Sequence, residues 1–393
     1  RHLLTSLRFW VVDTMPTSVI EYAMNHEDIN NLATILAEFG VELPLLVEIK
    51  QVAMVSGRSE RLIYSMKQNS SRDILKYLLH HGHSSELTPN VMLCASQYGF
   101  LEVLLHLHEQ GCPWQRGACE IAAENGNLTC LEYLHEQGCP WAFDQTSRTC
   151  GIAAENGYLD CLKLAHENGC QWTFSTCTRA AARGQLHCLV FLYEQGCPWN
   201  EDTCEAAAEN GHIDCLRYAL EHECPRSEKI CEAAAEYGQL QCLIYAHEQN
   251  CPMSYRTCTE AARHGHLDCL RYCHEQNGWW DQNTCAKAAE YGHLHCLIYA
   301  HEHGCAWDGN TCARAASGGH LHCLQYAHEH GCPWTDSTCV AAASYGHLDC
   351  LQYAHEHGCS WNTRTCNFAV RFSQLECLKF AHERGCTLDK TTY

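Results

Sequence analysis

Cysteine and histidine are the residues here with chemistry to offer, 32 and 28 of them in 393 residues, and both fall on a fixed spacing. From Cys150 a cysteine returns every 27 residues, at Cys177, Cys204, Cys231, Cys258, Cys285, Cys312, Cys339 and Cys366. Cys119 opens an earlier copy, and Met92 occupies the matching place in one still earlier. Within a copy a His stands sixteen residues after the leading Cys and another Cys twenty after it, as in Cys150, His166 and Cys170. Thiolate and imidazole are the ligands zinc prefers, so this set and its repeats form a candidate metal site. The Cys eleven residues in lies about 7.5 Å further along its helix and makes a poor fourth ligand. The competing reading is that all three cysteines are small buried hydrophobes, since free Cys is among the most buried residue types. Ligands of one site should be lost together, yet Tyr193 and Leu220 replace the His while Cys197 and Cys224 remain, and Gly278 replaces the last Cys while His274 remains. Core packing is therefore the first reading and no cofactor is expected. Zinc and disulfides stay as alternatives, the latter needing an oxidising compartment.

Every other candidate also comes in many copies. There is no phosphate-cradling glycine loop and no nucleophile elbow, and a unit multiplied along the chain does not make one special site, so the chain is read as non-catalytic. The repeated His, in the last turn of a helix, is expected to cap terminal carbonyls. The doublets His301/His303, His328/His330 and His355/His357 are expected to be partly solvated. Trp recurs at 114, 141, 172, 199, 280, 307, 334 and 361, and packing across neighbouring loops is favoured over a stacking platform for nucleic acid.

What must hold these residues is a pair of antiparallel helices per copy. The first, such as Thr149 to Asn156, is expected to take Thr as its N-cap, to present an Ala-Ala face, and to end at Gly157. The second runs from about Leu159 to Asn168 with Leu159, Leu162 and Ala165 at helical spacing, and ends at Gly169. Pro, as in Cys139-Pro140-Trp141, stops the helix from continuing. A hairpin with one apolar face cannot bury it alone, so copies must stack.

The segment A-A-x-x-G-H-L-x-C-L-x-Y-A-H-E-x-G-C, clearest in Ala342 to Cys359 and Ala315 to Cys332, resembles the ankyrin repeat. The unit is shorter than that family's, with T-C in place of its T-P-L-H turn. Similar short Cys- and Trp-bearing repeats occur in amoebal giant viruses, oomycetes and chytrids. The resemblance implies an all-α solenoid of stacked helix-turn-helix repeats, with shortened loops in place of β-hairpins. Residues 90–393 are read as about eleven copies, and residues 1–89 as divergent copies and a cap continuous with them. It further implies that helix-one tips, where the copies differ, face a concave groove and meet a partner. Arg183, Tyr237, Arg263, Tyr291 and Tyr345 are the preferred contacts.

The formal net charge of −20 argues against nucleic acid and anionic membranes, and favours a protein partner with a neutral or basic contact face. No apolar run reaches membrane-spanning length, and no clean signal peptide is seen, so a reducing intracellular compartment is expected. The chain lacks an initiator Met, consistent with a fragment or processed form. Its last copy keeps the internal pattern to Cys386, which leaves a stacking face for self-association as a dimer or fibre. Three functions are open: a protein-binding adaptor or effector scaffold, a structural or self-assembling protein, and a metal-binding repeat protein.

Overall fold

The computed structural model describes residues 89–141 and 148–388, together with Ile63 and Met66. The divergent copies expected within 1–89 otherwise lie outside the described residues. Contacts divide the chain into two units, Arg1–Thr176 and Cys177–Tyr393. Among the described residues 22 helices and no strand occur, from Pro89–Tyr98 to Leu375–Glu383, alternating as helix one and helix two of successive copies. Within each unit, helices one pack side by side and helices two do the same, so the architecture is an all-α stack of hairpins of the solenoid type.

Local rules explain each hairpin. Helix one, for example Gly309–Gly318, is closed by Gly319 at φ +75, with His320 N–H reaching back to Ala315 O. Helix two, Leu294–Glu302 in the copy before it, ends in the same way, with Gly304 at φ +84 and Cys305 N–H bonded to Ala300 O at 2.9 Å. Glycine accepts this left-handed turn without strain, and the bond from the residue after it satisfies a carbonyl the helix leaves open. Glu223, Asn250 and Asn277 adopt the same turn where the glycine of helix two is missing.

The expected Thr cap is corrected. Helix one begins earlier, and its cap precedes the Thr by three residues. Asp281, Asp308 and Asn362 accept from the backbone N–H two residues on, and Ser254 forms a capping box with Thr257. The Thr itself is inside the first turn and buried, as at Thr284, Thr311 and Thr365. Asp and Asn reach an exposed helix end from the loop, whereas the Thr is already against the neighbouring copy.

The interior is built of small residues. Each leading Cys and both alanines of the Ala-Ala face are inaccessible, as at Cys312, Ala315 and Ala316, and so is the Leu of helix two, Leu324. Met92 is buried at the place of the absent leading Cys, and Met66 and Ile63 pack on the same cluster. Small side chains let helices one approach closely, and the Leu row fills the space under helices two.

Candidate functional site

Helix-one tips line a cavity of about 450 Å³ within the second unit. It crosses four copies, from Glu290 and Tyr291 through Arg314, Gly318 and Ala341 to Tyr345 and Arg364. Gly318 stands 27 residues from both Tyr291 and Tyr345, at the tip position those rings occupy in the adjoining copies. Gly318 lines the cavity between the two rings, and a Cβ there would meet the Glu290 carbonyl of the preceding copy. Tyr291 is 41% exposed and Tyr345 65%.

The sequence-chosen residues fall into two groups. Tyr291 and Tyr345 line the cavity together. Arg263 is a support for the first of these: its Nη2 donates to the Tyr291 hydroxyl at 3.1 Å and its guanidinium lies 5.1 Å from the ring centre. Tyr237, 49% exposed, stands at the tip two copies earlier beside Glu209, whose charge raises the phenol above the ordinary tyrosine range. Arg183 is exposed just beyond the helix Phe174–Ala182, outside the cavity. Sequence reading did not single out Arg314 or Glu290. Arg314 donates across copies to Glu290 at 2.9 Å, and Lys287 donates to the same carboxylate at 2.7 Å. Burial pushes the Glu290 carboxyl up, but these two bonds outweigh it and hold it below the ordinary carboxylate range.

A rung beneath the tips bridges successive copies. The residue after the helix-one glycine is repeatedly Asn, His or Gln, as at Asn127, His212, Gln239, His266, His293, His320 and His347, and Gln374 stands in the same register after Ser373. His347 Nε2–H donates to Ser317 O at 3.0 Å, and Asn127 donates to Gln97 O at 2.8 Å, each thirty residues back. The acceptors are carbonyls at the end of the preceding helix one, which have no partner within their own helix. The His347 ring lies where a Cβ on Gly319 would stand, so the glycine is required for approach as well as for its φ. The recurring amide or imidazole at one register was the signal available in the sequence.

A second ladder runs along helices two, and here two expectations change. The repeated His does not cap its own helix. His301 stacks on Trp307 at 3.7 Å between ring centres and shares a hydrogen bond of 3.1 Å with the Tyr326 hydroxyl of the next copy. His328 does the same with Trp334 and Tyr353. The cap belongs to the second His of each doublet: His303, His330 and His357 donate from Nδ1 to Tyr299, Tyr326 and Tyr353 carbonyls at 2.8–2.9 Å. Trp likewise packs on rings of helix two rather than from loop to loop, with Trp307 edge-on to Tyr326 at 6.2 Å.

The candidate metal set separates into a pair and an outlier. The sulfurs of Cys150 and Cys170 are in direct contact, with Cα atoms 6.4 Å apart. His166 stacks on Trp172, and its Nδ1 lies 3.3 Å from Cys170 O. Three ligand atoms come within 4.8 Å of one another at Glu236, Glu260 and His264, the one such grouping among the described residues. Arg263 already pairs with Glu260 there, at 3.3 Å. At the last copy, Phe372 and Leu375 are exposed. No helix among the described residues is long and apolar enough to cross a membrane.

Residues 339–382 match the family model described as ankyrin repeats (many copies), which supports an ankyrin-repeat family for this type of unit. Among solved structures the chain is similar to the pentatricopeptide repeat protein PPR10, crystallised in complex with an 18-nt psaJ RNA element, at 13% identity and a TM-score of 0.38. That alignment covers 96% of this chain and 64% of the other, so the chain spans less than two thirds of its length. No curated protein matches the sequence.

Proposed function

We propose that this chain is a non-catalytic interaction scaffold that holds an extended segment of a protein partner in the helix-one groove between Tyr291 and Tyr345. Ankyrin-type repeats suggest a protein-interaction role in general. The observation that carries the finer reading is the cavity itself, lined by two exposed tyrosines with Gly318 between them. Tyrosine offers large contact area for little conformational entropy and is enriched where binding energy concentrates. Arg263 holds Tyr291 in place before a partner arrives, which lowers the ordering cost of binding. Arg314 is paired with Glu290, and Arg364, whose guanidinium lies 5.9 Å from the Phe368 ring centre, lines the groove and is suited to a carboxylate or backbone carbonyls of the segment. The overall charge of −20 keeps strongly acidic partners away and leaves a neutral or basic body around that segment.

A displayed library of random peptides, selected on the full chain, tests this. Selected peptides should lose affinity by about 30-fold or more on Tyr291→Ala/Tyr345→Ala, as expected for two contact tyrosines. They should bind Arg217→Ala, altered on helix two, as well as the parent chain. Peptides that keep their affinity for the double variant would overturn the groove as the binding site.

A further inference from the structure

We propose that, in each copy that opens on a Cys, the two thiols where the hairpin closes on itself form a dithiol–disulfide site, oxidised by a small-molecule disulfide such as glutathione disulfide. The Cα separation of 6.4 Å at Cys150 and Cys170 is within the range a disulfide spans. The same juxtaposition recurs because it is built into the unit: the turn ending helix two places the last Cys against the start of helix one. Cys305 Sγ lies 3.1 Å from Asp281 O and Cys332 Sγ 3.1 Å from Asp308 O, both cap residues of their own copy's helix one. The leading thiols Cys285 and Cys312 hydrogen-bond these partners.

The copy that breaks the pattern is the most informative. Gly278 replaces the last Cys, and in that copy alone a cysteine, Cys273, stands where its neighbours have Ala246, Ala300 and Ala327. Cys273 is buried and hydrogen-bonds Cys258, so the leading thiol has a sulfur partner again, by a different route. A Cβ on Gly278 would come 3.1 Å from the Cys258 sulfur, which shows both replacements address one spot. The loss of one sulfur is matched by the gain of another.

The two thiols of a pair are not equivalent. Both thiols are buried, and the last Cys is the nearer to solvent, 4% exposed at Cys305 against none at Cys285. The hydrogen bond from Cys285 stabilises a Cys305 thiolate and holds it below the ordinary cysteine range, while Cys285 keeps its proton. The order of events follows. Cys305 thiolate attacks one sulfur of the external disulfide RSSR and expels RS⁻, leaving Cys305–S–SR. Cys285 then releases its proton to water and attacks the Cys305 sulfur, breaking the mixed disulfide and expelling a second RS⁻. The two RS⁻ take up two protons, so dithiol and RSSR become a protein disulfide and two RSH, two electrons having passed to RSSR. The bond joins the start of helix one to the end of helix two within a copy, away from the helix-one tips.

The test is disulfide mapping of the folded full chain equilibrated with glutathione disulfide, alkylated and digested without reduction. Links between cysteines twenty residues apart, such as Cys285–Cys305 and Cys312–Cys332, are expected, together with Cys258–Cys273. Cys273→Ala, which installs the neighbours' residue, should remove the Cys258 link and leave the others. Thiols that stay reduced, links that join different copies, or a Cys258 that stays reduced in the parent chain while its neighbours oxidise would each overturn the proposal.

Discussion

The histidine sixteen residues into each copy shows how a side chain's task depends on what reaches it from elsewhere. His301 and His303 both lie at the end of the same helix two, and by position either can cap it. Trp307, delivered by the loop that follows, covers the face of His301, and Tyr326 of the next copy meets its Nδ1. His303 is left to donate to Tyr299 O. Stacked rings and a partly buried hydrogen bond are worth about 1–2 kcal/mol together. His301→Ala should therefore lower unfolding stability by that amount in urea titrations. A double-mutant cycle with Trp307→Ala should return a coupling of about 0.5–1.5 kcal/mol. Additive losses would mean the stack contributes area only.

At the scale of the helix and its turn, glycine does two separable jobs. Gly319 and Gly331 both sit in the left-handed region, at φ +75 and +81. A Cβ on Gly331 meets nothing within 4 Å, whereas one on Gly319 would fall on the His347 ring. Gly331→Ala should cost about 1 kcal/mol, the backbone term alone. Gly319→Ala should cost at least about 1 kcal/mol more, because His347 must leave and the Ser317 carbonyl loses its donor. Paired urea titrations check the difference, and equal losses would remove the rung from the account. Both glycines were legible as helix ends in the sequence. That only one of them is crossed by a neighbour was not, since the crossing residue lies 28 positions away.

For the molecule as a whole, the histidines couple stability to pH. Burial, ahead of every other cause, holds His266, His293 and His320 on the rungs and His274, His301 and His328 on the ring ladder below the ordinary value of 6.5. A depressed histidine is neutral in the fold while its unfolded counterpart takes a proton first, so stability rises with pH across that interval. The contribution is complete above about pH 6.5 and is lost as pH falls through the folded values. Melting temperatures should hold steady above that value and drop on acidification below it. A flat profile down to about pH 5 would show that these rings titrate as in the unfolded chain. Protonation of 28 histidines also erodes the −20 charge, so aggregation should appear in the same interval.

The sequence alone determined what one copy can build. A period of 27 residues, glycines at both helix ends, an Ala-Ala face and a Leu row are local instructions, and each is satisfied within a single hairpin. Tyr291 and Tyr345 stood out in the sequence because they depart from the regular unit at its variable tip, and both line the cavity. Stacking decided the rest. Tyr291 and Tyr345 line one cavity with Gly318 only because they are held one copy to each side of it, and Arg314 meets Glu290 only across that offset. His347 reaches Ser317, and Tyr326 reaches His301, for the same reason. The offset between copies is set by how closely small side chains let neighbouring helices approach, a packing property that no spacing within one copy encodes.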